Sequence, residues 1–119
     1  MEKVSEEQLK KWLQKWQKRL GLSDWEISIC FRDAQDMNNY PAKTKIRPNI
    51  QHADMRLMAQ NDRQSSDPSD SDTESDIVHE LVHVRLWAID PQGAEGVLYT
   101  CREQAVEWIA KALILTDRK

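Results

Sequence analysis

The stretch "SDIVHELVHVRLWAID", residues 75–90, decides how this chain is read. Val78, Leu81, Val82 and Leu86 recur at helical spacing and predict a helix that is buried in the core. Just ahead, "TESD" offers Thr73 as an N-cap, with Asp76 closing a capping box. Such a helix has little reason to carry His79, Glu80 and His83 unless they act together. Residues four apart on a helix are rotated by only about 40° and separated by about 6 Å along the axis, so the two imidazoles project side by side and can share one metal ion. Glu80 is rotated by about 100° from His79, which stands it beside such an ion, placed to take a proton from water. This HExxH spacing is that of zinc hydrolases. The plainer alternative is an ion-paired helix face with no metal.

A catalytic zinc takes three protein ligands and leaves one position open, so a third ligand is needed. "TCREQAVEWIAKALI", residues 100–114, predicts a last helix packed through Ala105, Val106, Ile109, Leu113 and Trp108. Glu103 lies 20 residues beyond His83. Glu107 lies one turn later on the same face, where it can accept a hydrogen bond from a ligating histidine and fix its orientation. Glu103 is the expected ligand. If Glu107 binds instead, Glu103 becomes a surface or substrate contact.

Upstream, "VSEEQL" opens a helix with Ser5 as N-cap, Gln8 three residues on, and Val4 and Leu9 placed as a hydrophobic staple. Leu9, Trp12, Leu13, Trp16 and Leu20 form its core stripe, and Gly21 with Leu22 reads as its C-terminal cap. Its lysines, Lys10, Lys11, Lys15 and Lys18, make a solvated outer face. "DWEISICFRD" alternates as a half-buried strand, "KTKIRP" forms a second that ends at Pro48, and "ADMRLMA" a third. The predicted fold is one α+β domain: an N-terminal helix, a small three-stranded, mainly antiparallel sheet with helices over its apolar face, the HExxH helix and a C-terminal helix. Residues 61–73 are polar and acidic with nothing to bury, and predict a mobile loop. Asp70, Asp72 and Glu74 do not make a calcium loop, since the glycine is missing and Leu81 stands at the twelfth position.

The 119 residues, 39% hydrophobic and 31% charged with net charge −3, suit a single modest core, and nothing in that balance asks for nucleic acid or an anionic membrane. No apolar run is long enough for a membrane span, and "MEKVSEEQLKKW" lacks a signal-peptide core, so a cytoplasmic location is expected. Cys30 and Cys101 form no CxxC pair and are expected as reduced core thiols. Nothing in the sequence sets an oligomeric state. His52 falls at an expected turn, exposed to solvent.

"HELVH" followed after 20 residues by "EQAVE" resembles the gluzincin metallopeptidases. In size and element order the chain is similar to the minimal zincins of phages, prophages and the ImmA/IrrE group. The resemblance implies zinc held by His79, His83 and Glu103, with Glu107 supporting a histidine, Glu80 as general base, and a peptide or protein substrate. It also implies an extended substrate added to the edge of the sheet, for which the third strand, with Asp54, Arg56 and Met58, is the expected partner. Specific residues match only within 77–107. Arg102 replaces the asparagine that precedes the ligand glutamate in the thermolysin-type pattern, and the downstream histidine of that pattern has no counterpart. The resemblance assigns its role in steadying the transition state to Tyr99, or to Tyr40 or His52, while packing alone also accounts for Tyr99. A second function class fits the same residues: a zinc-stabilised binding or regulatory module that cuts no bond. Glu80 and the lack of a fourth Cys or His at suitable spacing favour the enzyme.

Overall fold

The computed structural model describes residues 4–38, 40–59, 72–87 and 96–119. Helix α1 (Glu6–Arg19) is followed by strands β1 (Glu26–Arg32), β2 (Ala42–Arg47) and β3 (His52–Met58), then by α2 (Thr73–Leu86) and α3 (Val97–Asp117). The α+β architecture is the expected one.

Local signals in the sequence place α1 closely. Ser5 Oγ accepts from the Gln8 N–H at 3.1 Å, and Val4 packs on the same core as Leu9. At the other end the Leu22 N–H reaches the Gln17 carbonyl at 2.7 Å and the Gly21 N–H reaches Lys18 at 3.2 Å, with Gly21 at φ 70°. This Schellman cap needs a left-handed residue at Gly21, which glycine adopts without a Cβ penalty.

The sheet order is β1-β3-β2, with β1 parallel and β2 antiparallel to β3. One of the two pairings is therefore parallel, where a mainly antiparallel sheet was expected. The third strand also lies in the centre, not at the edge. Burial explains the central place: β3 carries Ala53, Met55, Leu57 and Met58, all buried, and a strand with that much apolar surface is best covered by neighbours on both sides. The chain reverses between β1 and β2 and again between β2 and β3, so β3 runs in the direction of β1 and pairs with it in parallel. The two edges fall to β1 and β2, and alternate residues of β2 are Lys43, Lys45 and Arg47. Rows across the inner face, such as Phe31–Leu57–Ala42 and Ile29–Met55–Thr44, face the helices. Leu9, Leu13 and Trp16 from α1 and Ile77, Val78 and Leu81 from α2 complete the core.

Helix α2 is capped by Asp72, whose side chain accepts from the Ser75 N–H at 3.1 Å; Thr73, expected as the cap, is the first helical residue and is buried. In the next position Glu74, also buried, accepts from Trp16 Nε1 at 2.7 Å, Lys15 Nζ at 3.0 Å and Arg118 Nη2 at 3.3 Å. Asp117 adds bonds to Lys15 and Arg19. This polar knot ties the ends of all three helices together. The rest of the acidic segment expected to be a mobile loop lies outside the described residues.

Helix α3 packs through Val106, Ala110 and Ile114, with Leu113 half-buried. Ala105, Trp108 and Ile109, expected in the core, are exposed, because the buried stripe runs along 106, 110 and 114. Cys101 shares that outward side and Cys30 is half-buried on the face of the sheet turned away from the helices, so both thiols are free but neither is the core residue expected. No helix among the described residues is long and apolar enough to cross a membrane.

Candidate metal centre

The register of α3 against α2 builds the site. With Val106 and Ala110 turned into the core, Glu103 and Glu107 lie one turn apart along the flank that meets His79 and His83. His79 Nδ1 is 2.8 Å from Glu107 Oε2. That contact leaves His79 Nε2 toward Glu103, 3.5 Å from Oε2, while His83 Nε2 is 3.3 Å from Glu103 Oε1. The two rings meet edge to face with centroids 5.1 Å apart.

One donor atom from each of His79, His83 and Glu103 lies within 4.8 Å of the others. Donors about 2.0–2.1 Å from a tetrahedral zinc stand about 3.3–3.4 Å from one another. The two rings approach different oxygens of Glu103, at 3.5 and 3.3 Å, so a small rotation of the carboxylate would bring one oxygen to a shared ion. Two imidazole nitrogens and a carboxylate oxygen are a donor set that zinc favours, and a carboxylate on the outer nitrogen of a ligating histidine is the usual way its ring is oriented. The residues fit the ion. Glu103 and Glu107 stand in the expected order, the first at both ring nitrogens that would bind and the second behind His79.

Glu80 points from α2 toward β2 and is buried. Its Oε1 accepts a hydrogen bond from Thr44 Oγ1 at 2.7 Å. Burial raises the pKa of its carboxyl, against the opposing effects of the Thr44 hydrogen bond and of His79. Burial lowers the pKa of His83, against the pull of Glu103, which favours the neutral imidazole that a metal requires.

These groups line a cleft of about 720 Å³ between α2, α3 and the segment from Tyr40 to Thr44. Tyr99 is on one wall, 46% exposed, with the Arg102 guanidinium 5.3 Å from its ring centroid. Tyr40 is also on the lining, with Lys43 Nζ 5.0 Å from its ring centroid. His52 is not brought to the cleft: it begins β3, half-buried, with Nδ1 3.1 Å from Arg47 Nη1. Of the three candidates for steadying a transition state, the two tyrosines therefore reach the site. Thr44 is the residue that sequence reasoning missed. Its signal was faint: a polar side chain between Ala42 and Ile46 on the inward side of an alternating strand.

Compared with protein-family models, with curated proteins and with solved structures, the chain gives no match. The gluzincin resemblance rests on its own residues.

Proposed function

We propose that the chain is a zinc-dependent metallopeptidase. The observation that carries this reading is the convergence of His79 and His83 from α2 and Glu103 from α3, with one donor atom of each within 4.8 Å of the others and the buried Glu80 in the same cleft. A zinc ion held there by His79, His83 and Glu103 would supply Lewis acidity for a carbonyl and for water near neutral pH. Glu80 takes the proton from the attacking water and returns it to the leaving amine, and a carboxyl whose pKa is raised by burial is suited to both transfers. Thr44 fixes one carboxylate oxygen, which leaves Oε2 to carry the proton. Glu107 holds the His79 ring. Tyr99, at the rim, offers a hydroxyl to a developing oxyanion.

The substrate on this reading is a peptide or protein. Two free thiols without a disulfide fit a cytoplasmic setting. The experiment is metal analysis of the purified chain followed by cleavage of a diverse peptide library by the zinc-loaded protein. About one zinc per chain with cleavage abolished in Glu80→Gln is the expected result. One zinc per chain with no cleavage, and an unaltered biological activity in Glu80→Gln, replaces the peptidase by a zinc-stabilised binding module.

A further inference from the structure

The face of the sheet turned away from the helices carries a charge opposite to that of the chain. Its rows are Glu26–His52–Arg47, Ser28–Asp54–Lys45 and Cys30–Arg56–Lys43. With Arg32, the strands set five cations on this side against the carboxylates of Glu26 and Asp54, in a chain of net charge −3. Asp54 is already engaged by Arg47 at 3.2 Å and by the Ser28 hydroxyl. Lys43 and Lys45 stand on β2, the edge strand beside α2 and the cleft.

The backbone of that strand is available for pairing. The Met58 N–H donates to the Pro41 carbonyl at 3.0 Å. Carried along the antiparallel register, this alternation commits the backbone of Lys43, Lys45 and Arg47 to β3 and turns the N–H and C=O groups of Ala42, Thr44 and Ile46 outward. Among the described residues no strand takes them. Thr44 also reaches Glu80 with its side chain, so a strand added here runs past the metal cluster. Directly opposed residues in a sheet share a face. Every second side chain of the added strand would thus lie beside Lys43, Lys45 and Arg47, and the others would face the cleft.

Pairing of an extended substrate with a sheet edge is what the resemblance implies, and the edge beside the cleft is that of β2; we propose that this lane selects segments bearing acidic side chains at alternate positions, matched to Lys43 and Lys45. The inference rests on the peptidase reading for its purpose, and on the sheet alone for its binding pattern. Lysines on an edge strand also serve to prevent pairing between molecules. Charge reversal separates the two roles, since glutamates guard an edge as well as lysines do.

The test uses the full chain as the zinc-loaded Glu80→Gln variant, with fluorescein-labelled extended peptides read by anisotropy. One peptide has Glu at every second position, one has Lys there, and one has the same composition as the first with its Glu residues clustered at one end. The alternating Glu peptide should bind at least about tenfold more tightly than the Lys peptide, the sum of two partly screened ion pairs and the repulsion they replace. Adding Lys43→Glu and Lys45→Glu should invert that order. Equal binding of the clustered peptide, or a preference unmoved by the charge reversal, overturns the lane. Cleavage by the wild-type enzyme with no bias toward acidic alternation overturns it too, while leaving the peptidase in place. The expected binding pattern without any cleavage by wild type supports the lane and removes the peptidase.

Discussion

Glu80 is pulled in two directions, upward in pKa by burial and downward by the Thr44 hydroxyl and His79. Removing the hydroxyl should therefore be felt in proton transfer and not in metal binding. Thr44→Val, which keeps the shape, should lower kcat about tenfold, the scale of one lost hydrogen bond to a charged group, with zinc content unchanged and the rate restored in Thr44→Ser. The other carboxylates separate by role. Glu103→Ala should strip most of the zinc, whereas Glu107→Ala, which removes the bond to His79 Nδ1 and an exposed ion pair with Lys111, should weaken affinity about 10- to 100-fold. Isothermal titration with zinc decides both, and a Glu107→Ala protein that loses its metal while Glu103→Ala keeps it would reverse the ligand assignment.

At the scale of elements, the position of α2 depends on its first turn. Glu74 is buried against Trp16, Lys15 and Arg118, so Glu74→Ala leaves an indole N–H without its acceptor and loosens α1 and α3 together. Because Lys15 and Arg118 are partly exposed, solvent screens their share, and a loss of about 2–3 kcal/mol is expected in denaturant unfolding. The C-terminal cap of α1 gives a second measurement. Gly21→Ala forces a Cβ into a left-handed conformation, while the added carbon itself would find only an ordinary contact, 3.5 Å from Arg85 Nη1. That should cost about 1–2 kcal/mol, and Gly21→Asn less, since asparagine visits this conformation more readily.

For the molecule as a whole, an ion held by His79, His83 and Glu103 would join the middle of α2 to the first third of α3 and should act as a cross-link. At a free zinc concentration 100-fold above the dissociation constant, binding adds about 2.7 kcal/mol, on the order of a 10 °C rise in Tm, reversed by a chelator. Acid should act through different groups. Asp117 is held below the usual carboxylate range by hydrogen bonds from Arg19 and Lys15, and Asp54 by the Ser28 hydroxyl, with His52 and Arg47 adding to it. A carboxyl whose folded pKa is depressed stabilises the fold above its unfolded value, about 3.9, and loses that contribution as pH falls through the folded value. Stability measured by urea titration should thus decline as pH drops below about 4, and less steeply in Asp117→Asn.

What the sequence determined by itself was local or periodic. Ser5 and Gly21 bound α1 because caps are set by neighbouring backbone groups, and His79, Glu80 and His83 share one side of α2 because a helix has a fixed pitch. The sequence also put Glu103 and Glu107 on one face of α3, but not against which ring. Only the tertiary structure decided that Val106, Ala110 and Ile114 pack inward, which leaves Trp108 exposed and brings Glu103 to both histidines. It likewise placed β3 in the centre and β2 at the edge, since strand order follows from how much apolar area each strand can cover with neighbours, a quantity that belongs to the assembled sheet. Thr44 became visible as the partner of Glu80 for the same reason: the contact spans 36 residues of chain and exists only once β2 lies against α2.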